Sequence, residues 1–365
     1  MPLQHLPLLD PTPDVAGFIA QVRGERVLSR VPFIEYIVDD VVQKPIVTDL
    51  LGREWVSPAG DRESWEAYLD NFIAVWRHLG YDIVRMEIGL PFPRKGLTGD
   101  DPTMAAGQRS WVDQHEGTII TWDQFERYPW PDPGAVSLWA LEYICENLPE
   151  GMGFVTCHGG GVYEHVSSLL SYEQLAYLLV DDPDLVRAVT DRVGELIATY
   201  YERILALPGL AMVLQGDDMG FRTGTLISPR SLRELILPWH KKLAAMTHAK
   251  GIPYCLHSCG QISEIMPDLI SDVGIDGKHS YEDAIQPIEQ AHERWGEEIA
   301  CLGGVDVDLL TRGSEDQVRT RVRQIVEACA PRGRFALGSG NSIASYVPAE
   351  SYLAMLDQGL SMSGG

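Results

Sequence analysis

The sequence is short of positive charge, short of cysteine and without a long apolar run. Lysine and arginine total 29 against 52 aspartates and glutamates, a formal net charge of −23 with an isoelectric point near 4.7. Such a surface repels nucleic acid and anionic membranes. It also makes a polyanionic substrate awkward unless bases gather at the site. The six cysteines among 365 residues (Cys145, Cys157, Cys255, Cys259, Cys301 and Cys329) lack the paired spacing of a disulfide framework. They read as reduced thiols of a cytoplasmic protein. No apolar stretch approaches the roughly 20 residues that a spanning helix needs. Residues 1–14 hold prolines and acids but neither a basic start nor an apolar core, so no secretory signal is expected.

What is present is ordinary globular material, 45% hydrophobic and 22% charged, enough for a large core. Short apolar strands are predicted at 31–38, 82–88, 153–158, 211–218, 252–259, 274–279, 299–306 and 334–338. Helical patterns separate them. Ser64 reads as the N-cap of a helix over 64–80, Ser171 and Ser314 open capping boxes, and Ser228-Pro229 starts a helix that runs to about residue 250. Eight strands alternating with helices predict an α/β chain of the (β/α)8 TIM-barrel class. Residues 1–30 read as an N-terminal extension, and 31–365 as one barrel domain. Residues 92–121 are Gly/Pro-rich and too long for a plain connection, so a lid-like insertion is expected there. A doubly wound open sheet would alternate in the same way. The barrel is preferred because almost every strand ends on a reactive polar group. A closed barrel brings all those ends to one mouth.

The stretch Cys255-Leu256-His257-Ser258-Cys259-Gly260 carries the most chemistry. Strand side chains alternate, so His257 and Cys259 share a face and could hold one cation between an imidazole and a thiolate. Glu282, His279, Asp306 and His158 stand at other strand ends as further candidates. Asp217 and Asp218 are neighbours at a strand end and point opposite ways, so they are not a matched pair; either could bind substrate or move a proton, or cap a loop. Glu87 ends a strand among apolar residues, where burial would raise its pKa. His158 precedes three glycines and could anchor an anion-binding loop or a simple turn. Ser339 and Asn341 read as polar lining. Arg85, Arg94 and Arg222 are candidate carboxylate binders.

Several of these motifs together resemble the uroporphyrinogen decarboxylase superfamily. They are Gly216-Asp217-Asp218-Met219-Gly220, Ser228-Pro229 with Pro238-Trp239-His240, Leu256-His257-Ser258-Cys259-Gly260, Gly303-Gly304-Val305-Asp306 and Leu337-Gly338-Ser339-Gly340-Asn341. That superfamily joins the decarboxylase to zinc-dependent methyltransferases that move methyl groups between corrinoid proteins and thiols. The decarboxylase's arginine-rich N-terminal motif is replaced here by Leu28-Ser29-Arg30-Val31-Pro32, so the likeness points to the methyltransferase branch. It implies zinc on His257 and Cys259. The family's third ligand, a cysteine near the last strand, falls at Ser339, and Glu282 falls where some members supply a carboxylate. Asp218, Glu87 and Asp217 would position substrate or move protons, with His158, Asp306, Ser339, Asn341 and His279 lining the substrate site. The implied donor is a corrinoid or a methoxylated small molecule, and the implied acceptor a thiol. A corrinoid protein is an expected partner, and pairing into a homodimer is compatible with the likeness. A carboxy-lyase and a non-catalytic corrinoid- or tetrapyrrole-binding barrel are the alternative readings.

Overall fold

The computed structural model describes residues 3–100, 108–112 and 114–362, with the backbone alone at 97–100 and 108–112. Among the described residues seven strands form one parallel sheet, in the order β1 (Ile83–Arg85), β4 (Gly153–Thr156), β5 (Leu210–Gly216), β6 (Tyr254–His257), β7 (Gly277–His279), β8 (Ala300–Val305) and β9 (Phe335–Ser339). Spatial order follows chain order, with helices in the connections. That is the topology of a TIM-barrel-like α/β fold. The strands are buried except at the start of β5, and most of their residues are apolar, as a sheet covered on both faces requires.

The first expected strand is less regular than its neighbours. Residues 31–38 make only two parallel bridges to the far edge of the sheet, Phe33 to Leu337 and Val38 to Ile343. The backbone bonds run from Ile34 N to Leu337 O at 2.9 Å and from Leu337 N to Pro32 O at 2.9 Å. Pro32 has no N–H to continue the ladder. The two chains also cross so closely that a Cβ at Gly338 would lie 1.8 Å from the Ile34 carbonyl oxygen. Only glycine fits that crossing.

Residues 3–30 run along the strand starts. Helix Val15–Val22 is capped by Asp14 and buries Phe18 and Val22, and Gln21 Nε2 donates to Phe335 O at 2.8 Å. Within 92–121, where an irregular segment was expected, β2 (Gly96–Asp100) and β3 (Gln108–Val112) pair as an antiparallel hairpin. Residues 101–107 and 113 of that insertion lie outside the described residues.

Helix starts differ from expectation in instructive ways. The helix expected from Ser64 begins at Arg62, because Asp61 takes the cap and its carboxylate accepts from Ser64 N at 2.8 Å. The helix opened by Ser228-Pro229 passes through a π-turn, Leu232–Ile236, before Leu237–His248, next to Pro238, which lacks an N–H. Helix Val162–Leu170 has no strong sequence signal. It starts directly after Gly159-Gly160-Gly161, where an anion-binding loop or a simple turn was expected.

Candidate metal centre at the strand ends

His257 ends β6, and Cys259 follows two residues later on the same side. Cys259 Sγ lies 3.4 Å from His257 Nε2. Asp218, just past the end of β5, brings its Oδ1 to 3.7 Å from that nitrogen. The carboxylate oxygen, imidazole nitrogen and sulfur all lie within 4.8 Å of one another. In a tetrahedral site with metal–ligand lengths of about 2.0–2.3 Å, donors sit roughly 3.3–3.8 Å apart. The two measured separations fall in that range. Among the described residues the donor group is therefore Asp218, His257 and Cys259. Glu282 is not part of it; its side chain lines the same cavity as Cys259, of about 980 Å³, some way along the wall. Cys255 stays in the core against Met212.

Each donor is held in place by the fold. Asp218 Oδ1 accepts from Cys259 N at 2.8 Å, which ties the tip of β5 to the turn after β6. Cys259 Sγ accepts from Asn341 Nδ2 at 3.1 Å and from Ser280 Oγ at 3.5 Å. The His257 ring is stacked on Tyr36, with centroids 3.8 Å apart and planes within 13°. The Arg85 guanidinium lies 3.8 Å from the centre of the same Tyr36 ring. Burial pushes the Cys259 thiol pKa up, with the nearby Asp218 charge second. Burial also raises Asp218 and drives His257 well down. Burial thus favours an uncharged thiol and an uncharged imidazole, beside a carboxyl group whose pKa it also raises. Buried Lys278 spends its ammonium on the carbonyls of Ser280, at 2.5 Å, and His279, at 3.3 Å. The three donor types and their separations suit a cation.

Other expected site residues have structural work. Asp217 is fully buried and faces away from Asp218. It accepts from Tyr163 N and Glu164 N, both at 3.0 Å, at the start of helix Val162–Leu170, and it pairs with His240 Nε2 at 2.8 Å. Both its oxygens are engaged, and in the fold it ties β5 to two helices. Removing it strands three buried donors at roughly 1–3 kcal/mol each. Asp217→Ala is accordingly expected to cost several kcal/mol, read as a lower urea midpoint. An unchanged midpoint with lost activity would restore the catalytic role.

His158 is likewise a cross-link. Its Nε2 accepts from Leu90 N at 2.8 Å and its Nδ1 donates to Gly160 O at 2.9 Å, and burial lowers its pKa to about 4. Nothing is left over for substrate. Glu87 pairs with Arg85 and accepts from the Cys157 thiol at 3.2 Å, on the far side of Tyr36 from His257. It lines a second cavity of about 500 Å³. Asp306 caps the helix Val307–Arg312 through Asp308 N and also accepts from Asp283 N, both at 2.8 Å. His279 is fully buried behind His257, away from the cavities.

Ser339 is turned away from the donor group. Its hydroxyl lies 2.6 Å from Glu35 Oε2 and 3.1 Å from the Asn341 carbonyl, and its N–H donates to Glu35 Oε1 at 2.8 Å. One hydroxyl proton cannot serve both oxygens. Burial raises the Glu35 pKa to about 8, so near neutral pH the acid carries the proton that completes the pair. The residue standing where the resemblance places a third ligand is thus committed to Glu35, and Asp218 approaches the donor group instead.

Tyr36, Ser280 and Lys278 had no signal beyond their places near strand ends. Gln215 was equally silent. Its amide holds the carbonyls of His158 and Gly160 at 3.0 and 3.1 Å.

A TIM-barrel-like parallel sheet gathers acid, imidazole and thiol groups at its C-terminal strand ends, the end where enzymes of this fold class carry their sites. The chain belongs to the uroporphyrinogen decarboxylase (URO-D) family, whose model matches residues 64–359. A methylated-thiol–coenzyme M methyltransferase from Methanosarcina mazei is 27% identical over 183 residues. That match spans 50% of this chain and 46%, about half, of the relative. The solved structure of a methyltransferase from Methanosarcina mazei superposes with a TM-score of 0.70 at 20% identity, over 95% of this chain and 98% of the other. Among the described residues no helix is long and apolar enough to cross a membrane.

Proposed function

We propose that the protein is a methyltransferase that moves a methyl group between a corrinoid or methoxylated donor and a thiol-type acceptor, with zinc held by Asp218, His257 and Cys259. The observation that carries this reading is the oxygen–nitrogen–sulfur donor group within 4.8 Å beside an open cavity of about 980 Å³. A set of carboxylate, imidazole and thiolate suits zinc. The family membership and the methyltransferase named among its relatives support the transfer chemistry.

Zinc bound there would hold an acceptor thiol as its thiolate at neutral pH. The chain's own residues do the rest. Asn341 and Ser280 donate to the Cys259 sulfur and fix its direction. Asp218 keeps the two strand tips together through Cys259 N. Glu282 and Asp306, on the cavity wall, face the entering substrate. The hairpin of β2 and β3, with Lys95 N bonded to Thr118 Oγ1 at 2.8 Å, is the proposed lid. Residues 31–365 act as one barrel unit in this reading, with 1–30 as its extension. The same reading makes a corrinoid protein the natural partner and the cytoplasm the place of work.

The acid-rich wall weighs against a carboxy-lyase for a polycarboxylate. Glu282, Asp283, Asp306 and Asp308 line the cavity with only Arg222 and Arg312, and Arg312 is already paired with Asp308. Elemental analysis of protein purified without chelators is expected to find about one zinc per chain. Zinc-replete protein is expected to form a thioether from a small thiol and either methylcobalamin or a methoxylated aromatic. Protein that neither carries nor takes up zinc overturns the metal assignment. Zinc-replete protein that forms no thioether from either donor overturns the transfer reaction.

A further inference from the structure

We propose that His279 is a positioning residue for the donor group: it accepts the Nδ1 proton of His257 and so leaves the Nε2 lone pair of His257 turned toward Asp218 and Cys259. This rests on the cation-site reading given above and goes further, because it states which imidazole tautomer the fold selects and by what means.

The two Nδ1 atoms are 2.7 Å apart. Such a contact is a hydrogen bond only if one ring supplies a proton and the other a lone pair. Two arrangements satisfy it. In the first, His257 Nδ1–H donates, its Nε2 is bare, and His279 carries its own proton on Nε2. In the second, His279 donates, and His257 has its Nε2–H pointing into the donor group.

The far end of His279 decides between them. Its Nε2 is buried without a hydrogen-bond partner among the described residues, and the Ser339 carbonyl oxygen stands near it. A Cβ at Gly303 would lie 2.3 Å from that carbonyl oxygen and 2.9 Å from His279 Nε2, which places the two atoms around one glycine. The first arrangement sets an N–H against the carbonyl. The second sets a lone pair against it, in a site with no water access. The first is therefore favoured, and it is the tautomer that offers Nε2 to a cation.

The stack of Tyr36 on His257 holds the ring orientation on which this depends. Tyr36 is itself pinned from its other side by Arg85. Gly303, part of the Gly303-Gly304-Val305-Asp306 motif, makes the space His279 occupies.

The test measures zinc affinity of the full-length protein by competition with a chromophoric chelator, together with the His257 tautomer by long-range proton–nitrogen NMR. In zinc-free wild type, His257 is expected to carry its proton on Nδ1. His279→Ala is expected to weaken zinc by about 10–100-fold, the usual cost of losing a residue that orients a ligand. His279→Gln, whose amide oxygen can accept the same proton, is expected to recover most of that loss. A wild-type His257 protonated on Nε2 overturns the proposal even if the variants fail to fold. So does an unchanged zinc affinity in folded His279→Ala. Zinc binding that is lost in His257→Ala but indifferent to His279 sinks this inference alone. Wild type that binds no zinc sinks the cation site and this inference with it.

Discussion

Cys259→Ala is expected to drop zinc content from about one ion per chain to near none and to reduce methyl transfer by more than a hundredfold. Among the described residues the sulfur is one of three donors within 4.8 Å, and Asn341 and Ser280 both point at it. Losing a residue that merely orients a ligand costs 10–100-fold in metal affinity or activity, so losing a ligand should cost more. Two companion variants separate competing ligand sets. Asp218→Ala is expected to lose zinc in the same way. Glu282→Ala is expected to keep it, because Glu282 stands apart from the donor group on the cavity wall. Elemental analysis of the three purified variants reads the result. Retained zinc in Cys259→Ala would remove the sulfur from the site. Lost zinc in Glu282→Ala with Asp218→Ala intact would restore the ligand set expected from the sequence.

Glu35→Gln is expected to become progressively more stable than the wild type as pH rises from about 5 to 8. Glu35 is fully buried, and burial raises its carboxyl from 4.5 to about 8 in the fold. An unfolded chain releases that proton near 4.5, while the folded chain keeps it until about 8. Between those values the unfolded state binds fewer protons, so stability falls with rising pH. The contribution is fully present below the unfolded value and lost as pH climbs through the folded one. Each unit is worth roughly 1.4 kcal/mol, so the gap reaches several kcal/mol. Glutamine cannot ionise and keeps an acceptor for Ser339 N. Glu164 shifts in the same direction and Lys278 also titrates near 8, so absolute stability does not isolate Glu35. The difference between wild type and variant does. Urea melts at several pH values would show a widening gap. A gap constant from pH 5 to 8 would mean that Glu35 ionises in the fold like an exposed acid.

The mixed success of the individual residues has a common cause. His257 and Cys259 were legible because both lie in one short stretch, where alternation puts positions two apart on one side. The opposed directions of Asp217 and Asp218 follow from the same rule. Their separate tasks do not, because those depend on what each direction meets. One meets the amides of helix Val162–Leu170, and the other meets Cys259. His158, Asp306 and Ser339 each stand at or just beyond a strand end, as expected, but backbone groups or Glu35 claim their polar atoms.

Local chemistry in the chain was enough to determine the succession of short apolar strands and helices, and hence an α/β barrel-like fold. It also determined the acidic surface and the His257–Cys259 pair. Those properties depend on composition and on periodicities a few residues long. The third member of the donor group, the His279 support behind it and the Tyr36 plate across it were decided only by tertiary structure. Asp218 stands 41 residues from its bonding partner Cys259, and Glu35 stands 304 from Ser339. At such separations the curling of the sheet brings side chains together, and no short-range pattern records which of them will meet.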